Sequence, residues 1–170
     1  MASIQKEIST NASVDQVWSA ISDIGALHTR LVPGFVIDTR LEPGGRIVTF
    51  GNGMVIREPI VDINEERRRL VWSAIGGSLT HYNASAQVFA DAAGQTRVVW
   101  IADLLPNEAA EAIGSMMEQG MAVMKVTLDG LAQKRIRNCK KTGVTRSFES
   151  YASPHEVAAE QPGFPLEDRS

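Results

Sequence analysis

Between residues 35 and 105 the chain reads as six short β-rich runs whose connections are too short to hold a crossover helix. FVIDTRLE leads into PGG at 43–45, RIVTF into GNG at 51–53, and MVIREPIVDI into the charged turn NEERR. RLVWSAI ends at the glycine pair 76–77, SLTHYNASAQVFA at DAAGQ, and TRVVWIADLL at Pro106. Tight turns rich in Gly and Pro join antiparallel neighbours, whereas parallel strands need a dozen or more connecting residues. An antiparallel meander satisfies the pattern.

The flanks complete the layers. Residues 2–9 alternate and predict a first strand, giving about seven. Ser13 is placed as a helix N-cap with Gln16 as its capping-box partner, and Val14, Val17, Trp18 and Ile21 fall at helical spacing. A second short helix is expected over 23–30, stopped by Pro33-Gly34. Asn107 opens a long helix predicted to run to about residue 136. On it Ile113, Met117, Met121, Met124, Leu128 and Leu131 form one apolar stripe. A helix with one greasy face needs a broad apolar partner, and the sheet is available. The expected fold class is α+β: a curved antiparallel β-sheet wrapped around a long C-terminal helix, with two short helices after strand 1. Residues 1–136 are expected to form a ligand-binding domain. Residues 137–170 are expected to form a C-terminal tail, extended or packed on a neighbour.

Composition narrows the function classes. A charge of −3 in 170 residues gives no basic balance for nucleic acid. Arg67, Arg68 and Arg69 sit beside Glu65 and Glu66 as a solvated turn. The basic cluster at 134–141 suits the negative end of a helix. Cys139 is the only cysteine, which excludes an internal disulfide and a thiolate metal cluster. The opening MASIQKEIST lacks a signal-peptide layout, and no apolar stretch reaches the length of a membrane span. A cytoplasmic location is expected.

Strand alternation assigns faces. On TRVVWIADLL, Val98, Trp100, Ala102 and Leu104 form the apolar row, opposite Arg97 and Asp103. Tyr82, Ala84, Ala86 and Val88 oppose His81, Asn83, Ser85 and Gln87, while Leu70, Trp72 and Ala74 share a row. These rows mix large aromatics with alanines, where a dry core prefers Leu, Ile and Val. Two readings stay open. One is a hollow under the helix, into which Met116, Met117, Met121 and Met124 reach. The other is a tight small core, with Gly114 and Gly120 easing the helix inward.

Glu58 shares a row with Met54, Ile56 and Ile60, so alternation turns a carboxylate inward among apolar side chains. There it needs an arginine, a hydroxyl or water. The competing reading takes Pro59 as a bulge or edge that turns Glu58 to solvent beside Arg57. Tyr82 either hydrogen-bonds a ligand carbonyl or packs as an aromatic with a wet tip. His81 should face outward, His28 lies near the expected cavity mouth, and His155 falls in the tail. The three scattered histidines lack metal spacing, so no metal and no cofactor are expected.

The segment SVDQVWSAISDIGALH resembles the opening helices of the START / birch-allergen-like (SRPBCC) superfamily. GGRIVTFGNGMVIREPIVDINEERRRLVWSAIGG and HYNASAQVFADAAGQTRVVWIADLLP are similar to its branch of polyketide cyclase/dehydratase proteins and abscisic-acid receptors. The resemblance covers residues 2 to about 135. It implies the helix-grip fold and a hydrophobic cavity for lipids, polyketides or other small hydrophobic molecules. It also implies that Glu58 matches the glutamate those receptors place in their cavity. The chain departs from the receptors at Ile37, which stands where they carry a ligand-pairing lysine. It departs again at the short GNG turn, which replaces their gate loop, and in a shorter latch loop. Hormone sensing by that lid is not implied.

The expected ligand-binding set is Met54, Ile56, Glu58, Trp72, Ala74, Tyr82, Ala84, Trp100, Met117, Met121 and Met124. The leading functional expectation is binding or transport of a small hydrophobic ligand in an internal cavity. One alternative is a polyketide cyclase/dehydratase-type enzyme, with Glu58 and Tyr82 as catalytic acid–base groups. A further alternative is a dimerising interaction module, motivated by outward Val99 and Ile101 and by the proline-rich tail.

Overall fold

The structure, a computed structural model, describes residues 1–91 and 94–142. Strand β1 (Ala2–Thr10) leads into helix α1 (Val14–Ile21). Its capping box forms as expected. The Ser13 hydroxyl accepts from the Gln16 backbone N–H at 3.3 Å, and the Gln16 side chain accepts from the Ser13 backbone N–H at 3.0 Å. The helix buries Val17, Trp18, Ala20 and Ile21, and the Trp18 indole donates to Glu65 in the turn between two later strands. The helix expected over 23–30 is instead a turn followed by a π-helical segment, Leu27–Leu31, in which the Val32 N–H bonds the Leu27 carbonyl. Both of its leucines are buried.

The meander follows as β2 (Val36–Glu42), β3 (Gly45–Phe50), β4 (Val55–Asn64), β5 (Arg69–Ser73), β6 (His81–Ala90) and β7 (Thr96–Leu105). All seven strands join one antiparallel sheet in the order β1-β7-β6-β5-β4-β3-β2. α1 and the π-helical segment therefore carry the chain from one sheet edge to the other. Register shifts at Val36/Asp38 and Ile60/Asp62 mark bulges, which bend strands and increase their twist.

A short 3-10 turn, Asn107–Ala109, opens into helix α2 (Ala110–Thr142). At 33 residues it is roughly 50 Å long. It extends beyond the predicted end near residue 136, because backbone hydrogen bonding continues where the apolar stripe has stopped. The tail reading otherwise falls on residues 143–170, outside the described residues. Met117, Met121, Met124 and Leu128 are buried as the stripe predicts, while Ile113 and Leu131 are half-buried. α2 lies closest along β1 and stands off the strands in the middle of the sheet. None of the described helices is long and apolar enough to cross a membrane.

Polar contacts pin the middle of α2 to the end of β1. Asp129 accepts from the Thr10 hydroxyl at 2.7 Å, from the Asn11 N–H at 3.1 Å and from Lys125 Nζ at 2.9 Å. Desolvation is the largest single influence on this carboxyl and raises its pKa. The bonds from Thr10, Lys125 and Asn11, with the Lys125 charge, outweigh it and hold the pKa below the usual value. A depressed carboxyl stabilises the fold above its unfolded pKa of about 3.9, and that stability is lost as pH falls through the lower folded value. Asp129→Asn is therefore expected to be less stable than wild type at pH 6. The gap in urea unfolding should close as pH drops below about 4. A gap that is the same at both ends of the titration would remove Asp129 from this role.

One expected outer patch is corrected. Val99 is only 8% exposed, because β7 is an interior strand on which Val99 is flanked by Glu7 and Gln87, its direct cross-strand partners. Ile101 is half-buried. The pair offers no broad apolar surface for a second copy.

Candidate functional site

Where α2 stands off the sheet, a cavity of about 270 Å³ opens between them. The sheet contributes Arg46, Val48 and Phe50 from β3, Ile56 and Glu58 from β4, Leu70 and Trp72 from β5, Tyr82 and Ala86 from β6, and Trp100 from β7. Ala112, Ile113, Met116 and Met124 of α2 face them. Leu27, Leu31 and loop 76–79 also border it. Of the two glycines expected to ease the helix inward, Gly120 does so and Gly114, whose added Cβ would come no nearer than 4.0 Å to Ile4, does not. At Gly120 an added Cβ would lie 3.1 Å from Phe35 and 3.2 Å from Trp100, so the missing side chain lets these rings seat against the helix. On either side of that contact the helix leaves space.

Nearly all of the wall is apolar, and its charged groups lie on two adjacent strands. Alternation placed Glu58 correctly: it is buried and faces inward, with the β4 bulge falling after Pro59 rather than at it. Its partner is Arg46, directly opposite on β3. Arg46 Nε donates to Glu58 Oε2 at 2.7 Å, with the two side chains only 3% and 10% exposed. Arg46 Nη1 reaches the Ile24 carbonyl at 3.4 Å, and the guanidinium lies 5.8 Å from the Trp72 ring centroid. Among the described residues no hydrogen bond engages Glu58 Oε1.

Two further polar groups border the same space. Burial drives the Tyr82 pKa far above the usual phenol value, and the nearby Glu58 charge pushes the same way. Tyr82 therefore stays a neutral hydroxyl near neutral pH. The Trp100 indole offsets a little of that rise, although its buried Nε1–H meets no partner in hydrogen-bond geometry. Trp72 and Trp100 lie with ring centroids 5.9 Å apart, tilted by 46°.

Of the expected ligand-binding residues, Met54, Ile56, Glu58, Trp72, Ala74, Tyr82, Trp100 and Met124 stand on the cavity wall. Ala84, Met117 and Met121 are buried but off that wall. Ala84 lies between Trp72 and Ala102, its cross-strand partners. Met117 and Met121 are buried in the core cluster and do not border the open space. Ile37 is 55% exposed at the β2 bulge, and its neighbour Val36 lines the cavity instead. His81 is exposed, His28 is half-buried and absent from the wall, and His155 lies outside the described residues. Among the described residues no group of His, Cys, Asp and Glu is arranged to hold a metal.

Arg46 is the charged site residue that sequence reasoning missed, beside apolar wall residues such as Val48, Phe50 and Leu70. The signal was present: in GRIVTF it shares an alternation row with Val48 and Phe50, both buried. Its alignment also depends on Gly45. A Cβ there would lie 2.6 Å from the Glu58 carbonyl oxygen and 3.0 Å from the Pro59 Cα, both backbone atoms. Gly45→Ala is expected to cost about 3 kcal/mol, at the upper end for overpacking because backbone cannot rotate away. Urea unfolding checks this; a loss under about 0.5 kcal/mol would mean that β3 and β4 can separate freely at this point.

Residues 1–142 match a family model described as polyketide cyclase / dehydrase and lipid transport. No functionally curated protein matches the sequence. Among solved structures, the protein XoxI from Bacillus cereus superposes with a TM-score of 0.68 at 20% identity, over 75% of this chain and 96% of that one. The di-domain ARO/CYC BexL from the BE-7585A biosynthetic pathway gives 0.66 at 13% identity, over 76% of this chain and 47% of that one. A START superfamily protein from Mycobacterium smegmatis gives 0.59 at 13% identity, over 78% and 98%. At these identities the likeness is one of fold, the helix-grip arrangement of a curved sheet around a long C-terminal helix.

Proposed function

The chain belongs to the polyketide cyclase / dehydrase and lipid transport family, and from that premise we propose that it binds a small hydrophobic molecule in the cavity beneath α2. The observation that carries this reading is the cavity itself: an apolar volume with a few converging polar groups, the usual anatomy of a ligand site. Met54, Ile56, Trp72, Ala74, Trp100 and Met124 would hold the apolar body of the ligand, and Glu58 with Tyr82 its polar end. Native mass spectrometry of freshly purified protein tests the reading. The expected result is a retained small-molecule adduct, or uptake from a panel of lipids and polycyclic aromatics. A protein that emerges empty and takes up nothing from the panel would overturn it.

A second reading, cyclase/dehydratase-type chemistry, is favoured by one observation: Glu58 and Tyr82 border the same volume. Against it, Arg46 already holds Glu58 Oε2, and burial keeps the Tyr82 proton bound well above neutral pH, far from the pKa a general acid needs. Turnover that vanishes in Glu58→Gln while ligand affinity persists would reverse the order of the two readings.

A further inference from the structure

We propose that the Arg46–Glu58 pair makes the cavity selective for neutral, hydroxyl-bearing ligands against carboxylates, with Glu58 as the residue that sets this specificity. The inference rests on the ligand-binding reading above and deepens it. Arg46 and Glu58 are the charged side chains on the cavity wall, and they face each other across one strand pair, so the wall carries no net charge.

Arg46 is engaged from several sides. Its Nε is bound to Glu58, its Nη1 turns toward the Ile24 carbonyl, and its guanidinium lies near the Trp72 ring. A carboxylate entering this space would lose its hydration and meet a cation already neutralised by Glu58, whose own charge repels it. A hydroxyl carries a much smaller desolvation penalty and fits the open valences. It can donate to Glu58 Oε1 while its oxygen accepts from the Tyr82 hydroxyl. Glu58 thus acts twice: it supplies the acceptor that a hydroxyl needs, and it withholds Arg46 from anions.

Isothermal titration calorimetry at pH 7 with 2-naphthol and 2-naphthoate tests this, since the two probes share one ring system and differ in charge. Wild type is expected to bind naphthol at least tenfold more tightly than naphthoate. In Glu58→Gln the guanidinium is released, so naphthoate binding should tighten at least tenfold over wild type and naphthol binding should weaken. Naphthoate binding to wild type as tightly as naphthol would overturn the selectivity while leaving the cavity reading standing. Binding of neither probe would overturn the selectivity, and the cavity reading falls with it if native mass spectrometry also finds nothing taken up from the panel. The wild-type comparison decides the selectivity even if Glu58→Gln fails to fold. A Glu58→Gln protein with wild-type circular dichroism and no gain for naphthoate would remove Glu58 from the role assigned to it.

Discussion

Arg46→Met is expected to lower stability by about 3–5 kcal/mol, the usual cost of leaving one member of a buried ion pair without its partner. The carboxylate of Glu58 would stay on the inner face of β4, 10% exposed, having lost the cation held 2.7 Å from it. The double variant Arg46→Met, Glu58→Leu should recover most of that loss, because apolar side chains of similar size often replace a buried pair at little cost. Urea unfolding of the two variants and wild type closes the cycle. A single variant within about 1 kcal/mol of wild type would mean that Glu58 finds water or swings out. The pair would then be a surface bridge in its energetics despite its burial.

Ala86→Phe is expected to cut ligand uptake at least tenfold while shifting stability by no more than about 1 kcal/mol. Ala86 lies on the cavity wall between Leu70 and Trp100, its cross-strand partners. A phenyl ring added there enters existing space, so the usual overpacking penalty of about 1–3 kcal/mol should largely be absent. Uptake is read by native mass spectrometry and stability by urea unfolding. The opposite result, a large loss of stability with uptake unchanged, would mean that the layers are in contact at this point and that the ligand sits elsewhere.

Much of this architecture was legible along the chain because strands and helices have fixed periods. The rows Tyr82, Ala84, Ala86, Val88 and Val98, Trp100, Ala102, Leu104 face inward as alternation requires. The capping box at Ser13 and Gln16 formed for the same local reason. Glu58 was found because a lone carboxylate in an apolar row breaks the pattern. Arg46 escaped notice although it breaks the pattern of its own row, since its meaning lies in the residue opposite. That pairing follows from the register of the β3–β4 hairpin.

The bulge at Ile37 shows the limit from the other side. An extra residue shifts the faces of a strand, and nothing in FVIDTRLE announces where the shift falls. The split among the methionines is similar. Met117, Met121 and Met124 share one apolar stripe, yet only Met124 borders the hollow, together with Met116 from outside that stripe.

By itself, the order of apolar and polar residues determined the seven strands, the long helix, and which side chains point inward where a strand is regular, since each follows from a local repeat of two or about 3.6 residues. Only the tertiary structure decided that Arg46 meets Glu58 and that a space survives beside them. Those outcomes depend on strand register and on the distance between two layers, and both are set by contacts far apart along the chain.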